Sequence, residues 1–291
     1  MREAFFQNLY QLALEDKRII LLLGDVGALV LDKYRQDLPD RCVNMGIAEE
    51  NMMGVAAGLA LSGKVVYVFS HAIFATASAF EQIKLDICLP NLSVKIVGVG
   101  PGLDYSALGP SHHAQEDIAL MRVLPNMTIL SPADNLAAAA FARVSLETHG
   151  PVYIRLDREG EPLVYATVAA FEDGLWVLRW GNSETCIVAT GRPVLRALEM
   201  GKEMDATVVD LYRIKPLTAE VKTVLGDLFQ LYPKVITLEE HNIIGGIGSA
   251  LAEVIAERHG LVRRGVPDSF VFQCGPRRYL QDAILGKIEP S

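Results

Sequence analysis

Short apolar, β-branched runs alternate along this chain with longer stretches whose apolar residues recur at helical spacing. In the first half, strands are predicted at 19–24, 65–70, 94–99, 127–130 and 152–156, with helices near 3–15, 47–62, 74–87, 115–122 and 134–147. Asp134, shortly after Pro132, is placed to cap the last of these helices. A polar, less regular stretch over 159–173 precedes a second series. There, strands are predicted at 185–189, 206–211, 235–239 and 269–273, and helices at 193–203, 218–230 and 247–259. Strand–helix alternation of this kind predicts an α/β fold with two domains, each a mostly parallel sheet flanked by helices. The boundary is expected near residue 165, giving segments 1–165 and 166–291.

One position breaks the hydrophobic pattern. Glu49 lies at the start of a helical stretch in which Met52, Met53, Ala56 and Ala60 share its face, and no Lys or Arg occurs between Arg41 and Lys64. A carboxylate on a buried face is costly, so it must be given a partner or take up a proton, and that makes Glu49 a candidate functional residue. The competing reading places Glu49 and Glu50 in solvent at a helix N-terminus, where acids are favoured.

Composition narrows the field. Half of the 291 residues are hydrophobic (51%) and 21% are charged, enough apolar material for two cores and for an interface with a partner. With 27 basic and 35 acidic residues the net charge is −8, which argues against a general nucleic-acid surface. The four cysteines are far apart and form no CxxC pair, and three lie in apolar runs, so they read as small core residues of a reducing compartment. The opening helix lacks the layout of a signal peptide, and the most apolar run, 19–31, is interrupted by Asp25 and two glycines and is too short to span a bilayer. A cytoplasmic protein is expected.

Three further stretches could carry chemistry. Gly109-Pro-Ser-His-His-Ala-Gln-Glu-Asp117 joins a Gly-rich loop to a helix and brings His112 and His113 together. On an extended loop, one can face a pocket while the other braces it or caps a turn. Arg158 follows a predicted strand, in the crevice where α/β folds bind ligands. It can take an anion there or pair with a neighbouring acid. Glycines at 245, 246 and 248 lack dinucleotide-binding spacing and are explained by close helix–strand packing. Phe74 and Phe80 either pack a core or present an aromatic face to a ligand.

Taken in order, Met1-Arg-Glu-Ala-Phe, Gly46-Ile-Ala-Glu-Glu-Asn51, Gly109-Pro-Ser-His112, Glu116-Asp-Ile-Ala-Leu-Met-Arg122, Ser131-Pro-Ala-Asp134 and Glu239-Glu-His-Asn-Ile-Ile-Gly-Gly-Ile-Gly248 resemble the C-terminal half of transketolase-like thiamine-diphosphate enzymes. The resemblance runs nearly end to end. It implies a pyrimidine-binding domain at 1–165 followed by a transketolase C-terminal domain at 166–291. It also implies that Glu49 hydrogen-bonds N1′ of the aminopyrimidine and drives the imino tautomer that deprotonates the thiazolium carbon. By the same resemblance Phe74 stacks on the pyrimidine, His112 meets the reacting oxygen of the substrate, His113 lies beside it, and Arg158 lies near a sugar phosphate.

Two departures stand out. Family members that use ordinary sugar phosphates carry Asp where this chain has Leu108, and a further histidine where it has Gly100, which puts the usual ketose-phosphate specificity in doubt. No Gly-Asp-Gly…Asn-Asn motif is present, and Gly24-Asp25-Val26 does not fit it. The resemblance therefore implies that the diphosphate and its Mg2+ or other divalent cation are held by a partner protein, in an α2β2 assembly. The expected activity is transfer of a two-carbon ketol unit from a ketose to an aldehyde. The alternative is decarboxylation of a 2-oxo acid, as in deoxyxylulose-phosphate synthase or the β subunit of 2-oxo acid dehydrogenases.

Overall fold

The structure, a computed structural model, describes residues 1–27, 29–167, 171–254 and 260–285. The first half builds a seven-stranded sheet from β1 (Ile19–Leu23), β2 (Cys42–Asn44), β3 (Val65–His71), β4 (Val94–Val99), β5 (Thr128–Leu130) and β6 (Val152–Leu156), joined by β10 (Arg213–Lys215). Its order is β10-β5-β6-β4-β3-β1-β2, parallel throughout except for β10. The second sheet runs β12 (Gly260–Val266), β11 (Lys234–Asn242), β8 (Thr185–Ala189), β9 (Thr207–Asp210) and β7 (Trp176–Arg179), with β7 antiparallel.

Strands β1, β4 and β6 are buried at every residue, as expected of parallel strands covered by helices on both faces. On one face α1 (Arg2–Glu15) inserts Phe5, Phe6 and Leu9, with the Phe6 and Phe69 rings 4.6 Å apart edge to face. On the other, α3 (Glu49–Leu61) buries Met52, Met53, Ala56 and Ala57. Parallel register aligns Leu23 with Phe69, His71 with Val99, and Val99 with Leu156. The carboxyl ends of four strands therefore open on one edge, and Gly24, Ser70, Gly100 and Arg158 emerge together there.

Several expectations need correction. Residues 269–273 form no strand; the edge strand is β12, whose Arg263 and Arg264 hide it from an apolar pattern because an edge faces water. The apolar signal at 269–273 came from Phe270 and Phe272, which are exposed. The helix expected at 74–87 is instead two π-helical stretches, Phe74–Ser78 and Ile83–Cys88, around a short turn of α-helix at Phe80–Gln82. A wider winding of this kind leaves no distinct period in sequence. Helix α9 (Ile247–Ala252) matches the start of its expected span, whereas residues 255–259 lie outside the described residues. Strands β2, β7 and β10 and the helices Leu29–Asp37 and Arg277–Ile284 were not anticipated; all three strands are short and marginal. Cys88 and Cys186 are buried, Cys42 is half-buried and Cys274 exposed, and all four are free.

The glycines after Glu239 serve packing. Glu239 accepts hydrogen bonds from the backbone N–H of Ile247 (2.7 Å) and Gly248 (3.0 Å), and a Cβ on Gly246 would sit 2.0 Å from its carboxylate. Next to it, His241 is fully buried: Nε2 accepts from the Ala119 N–H at 3.2 Å, so Nδ1–H donates to the Asn242 carbonyl at 2.6 Å. A second ring proton would face the Ala119 N–H. Burial accordingly pushes the imidazole down to about 4, despite the opposing pull of Asp117. Between pH 6.5 and 4 the unfolded chain binds the proton that the folded chain refuses, so stability falls on acidification by about 1.4 kcal/mol per pH unit from this group. Denaturant titrations across that range are expected to show a shallower slope for His241→Asn; equal slopes would exclude the assignment.

Candidate active site

Glu49 is the first residue of α3, as the competing reading had it, but it is buried and not in solvent; only Glu50 is exposed. The Ser70 hydroxyl, near the end of β3, donates to its Oε1 at 2.7 Å. Gly24 makes room for that contact: a Cβ there would come within 3.0 Å of Ser70 Oγ and 3.3 Å of Met52 Cε. The partner demanded by a buried carboxylate is therefore a hydroxyl from a neighbouring strand.

His71 follows Ser70 and opens a cluster of rings. Its centroid lies 5.6 Å from Phe74, 5.0 Å from Tyr105 and 6.0 Å from His112, and Phe74 and His112 are 5.4 Å apart. Burial, then the charge of His112, lowers the His71 proton affinity; Glu49 opposes the shift and Arg158 reinforces it. His71 thus stands neutral within the fields of both the acid and the arginine. Ser111 Oγ lies 3.0 Å from His112 Nδ1, and His112 Nε2 has no hydrogen bond among the described residues.

The loop that carries His112 is pinched at its base, where Gly102 and Ala114 exchange backbone hydrogen bonds of 2.9 and 3.1 Å. Within it, Asp104 holds Arg158 three times: Oδ2 accepts from the Arg158 backbone N–H (3.0 Å) and Nε (3.3 Å), and the Asp104 carbonyl accepts from Nη2 (2.6 Å). The guanidinium lies over the Tyr105 ring, 4.5 Å from its centroid. Tyr105 in turn occupies the space beside Gly100. That glycine has φ +78°, and a Cβ on it would stand 2.0 Å from the Tyr105 ring. A side chain at 100 and this ring placement exclude one another.

Behind Asp104 stands Arg277, from α10 (Arg277–Ile284). It donates to Asp104 at 3.3 Å, to Glu240 from Nε and Nη2 at 2.7–3.0 Å, and to Asp157. Arg155, near the end of β6, is instead committed to the buried Asp117 through bonds of 2.7 and 3.0 Å.

Four of the residues singled out in sequence, Glu49, Phe74, His112 and Arg158, converge on this edge. His113 does not join the rings; it is buried on another side of the loop. Ser70, His71, Tyr105 and Arg277 were missed. A polar Ser-His pair ending an otherwise apolar strand was the one available signal, whereas Tyr105 and Arg277 reach the site only through folding. Together these groups offer a sequestered carboxylate, an aromatic wall, an imidazole with a free nitrogen and an anchored cation.

The family described as "Transketolase, pyrimidine binding domain" matches residues 1–161, and "Transketolase, C-terminal domain" matches 174–290. A putative transketolase C-terminal section of Methanocaldococcus jannaschii is 36% identical over 281 residues, 93% of this chain and 87% of that one. One of the subunits of an apulose-4-phosphate transketolase, from Phocaeicola vulgatus, is 35% identical over 93% of this chain and 88% of its own length. A split-gene transketolase solved as an inactive β4 tetramer matches with a TM-score of 0.87 at 40% identity, over 97% of this chain and 92% of that one.

Gly100→Ala is expected to destabilise the chain by about 2 kcal/mol, through the left-handed backbone and the clash with Tyr105. Adding Tyr105→Ala should return part of that loss in a double-mutant cycle. Simple additivity would show that the two positions do not compete for space.

Proposed function

The chain belongs to the transketolase family, and from that premise we propose that it is the C-terminal subunit of a two-subunit enzyme moving a two-carbon ketol unit from a ketose to an aldehyde. The family depends on thiamine diphosphate, which supplies a nucleophilic carbon and an electron sink when bound. The observation that carries the reading is Glu49: a carboxylate buried at the carboxyl edge of a parallel sheet, hydrogen-bonded among the described residues only through Oε1 to Ser70, whose neighbour His71 opens the cluster of rings. A heterocycle with a basic ring nitrogen would fit that setting, with Glu49 Oε2 left to meet that nitrogen.

In this reading Phe74 packs on the aminopyrimidine, and neutral His71 closes the same wall. His112 places Nε2 at the reacting oxygen of the substrate, with its ring held by Ser111. Arg158, kept in position by Asp104 and Tyr105, has Nη1 free among the described residues for an anionic group of the substrate. Tyr105 beside Gly100 gives the pocket an aromatic surface where a polar side chain would otherwise contact sugar hydroxyls.

The partner protein, in an α2β2 assembly, holds the diphosphate and its divalent cation. A relative named as one of the subunits of its transketolase, and a split-gene relative that is inactive as a β4 tetramer, support this division. Ile47, two residues before Glu49, is exposed and offers such a partner an apolar contact beside the site.

The chain should be purified with its partner and assayed for ketol transfer between ketose and aldehyde panels; carbon dioxide release from pyruvate in place of transfer would overturn the assignment. Without the partner, calorimetry should detect only weak binding of thiamine diphosphate, and tight stoichiometric binding would contradict a divided site. Glu49→Gln is expected to lower turnover at least about 100-fold with assembly intact. Arg158→Ala is expected to raise KM with little change in kcat, the signature of uniform binding; an unchanged KM would remove Arg158 from the substrate site.

A further inference from the structure

Helix α3 runs away from the site along a surface that the single chain does not explain. From Asn51 to Gly63 the sequence carries no charged residue. Met52, Met53, Ala56 and Ala57 are buried against the sheet, whereas Gly54, Val55, Gly58 and Leu61 are exposed. Beyond its first turn α3 is therefore uncharged on every side, which is the composition of a helix covered all round. The other long helices among the described residues expose charge, such as Glu15 on α1, Arg143 on the helix Asn135–Glu147, Lys202 on Pro193–Glu203 and Lys222 on Ala219–Leu231.

Gly54 and Gly58 sharpen the anomaly. Within a helix glycine is the costliest residue after proline, and it is kept where something needs the space. Gly201 has such a reason inside the chain, since a Cβ there would come within 2.4 Å of Val208. At Gly54 and Gly58 a Cβ would meet nothing within 4 Å. Glycines four residues apart lie on one helix face, and they let a second helix approach backbone to backbone. Val55 lies between them and Leu61 one turn on, and the π-helical stretch packed against α3 adds exposed Leu85, followed by Leu89.

A helix laid on this face must itself be small and uncharged where it crosses. The α3 of a second copy meets both demands. About a two-fold axis, each residue near the axis faces its own counterpart, so a charge there would meet its like; α3 has none between 51 and 63. We propose that α3 pairs with α3 of a second copy of this chain, across a two-fold axis passing near Gly54 and Gly58. The pairing supplies the contact between two copies that an α2β2 assembly needs. It is argued from α3 itself and does not rest on the ketol-transfer reading.

The test is sedimentation analysis of the full chain over a dilution series, alone and with its partner. Gly54→Gln combined with Gly58→Gln fills space that is open in the single chain and replaces two poor helix formers, so the thermal midpoint should be no lower than that of the unsubstituted chain. The same double variant should raise the dissociation constant between copies at least about tenfold, and Leu61→Glu should weaken the pairing by bringing charge to it. Phe272→Glu, on a different exposed surface, should leave the pairing unchanged. An unsubstituted chain that is monomeric both alone and with its partner would overturn the proposal, as would a double variant that pairs as tightly as the unsubstituted chain. A double variant that still pairs with itself but loses its partner would assign the face to the partner instead, and a loss of pairing matched by Phe272→Glu would remove α3 from the contact.

Discussion

A hydroxyl–carboxylate hydrogen bond, from Ser70 to Glu49, organises the edge on which the rest of the site is assembled. An acid at the first position of α3 would ordinarily be solvated, but here the helix is seated against β1 and β3 and its acid is drawn beneath the surface. Such a carboxylate persists only with a partner. Ser70 can supply one because Gly24, at the end of β1, contributes no side chain to the space between them. The same parallel register that brings Ser70 to Glu49 brings the ends of β4 and β6 alongside, and with them the His112 loop and Arg158. Local geometry and sheet topology therefore act on one site.

The second half of the chain reaches that site through charge. Arg277 binds Asp104, Asp157 and Glu240 together, and Glu240 also accepts from the Leu103 N–H at 3.0 Å. Gly102 allows the loop to lie against Glu240, since a Cβ at that position would come within 2.6 Å of it. Asp104 is thereby shared: one oxygen faces Arg277 and the other faces Arg158. Breaking one member of such a buried cluster leaves uncompensated charge, so the cluster resists partial loss. Its consequence is that Arg158, the cation of the candidate site, is oriented from a helix far along the chain.

Periodicity and motif order sufficed for the α/β class, for most central strands and helices, and for singling out Glu49, Phe74, His112 and Arg158, which the fold brings to one edge of the sheet. Buried parallel strands are continuous apolar runs, and a carboxylate inside an apolar helix face is a visible anomaly. The short edge strands β2, β7 and β10 and the π-helical winding after Phe74 were decided by pairing and packing, which leave no period to read. Tyr105 and Arg277 were equally silent: a tyrosine in a loop and an arginine near the end of the chain acquire meaning only beside Gly100 and Asp104. His113 shows the same limit from the other side. Adjacent in sequence to His112, it was separated from it by the direction in which the folded loop turned its side chain, because neighbouring residues share a backbone and not a cavity.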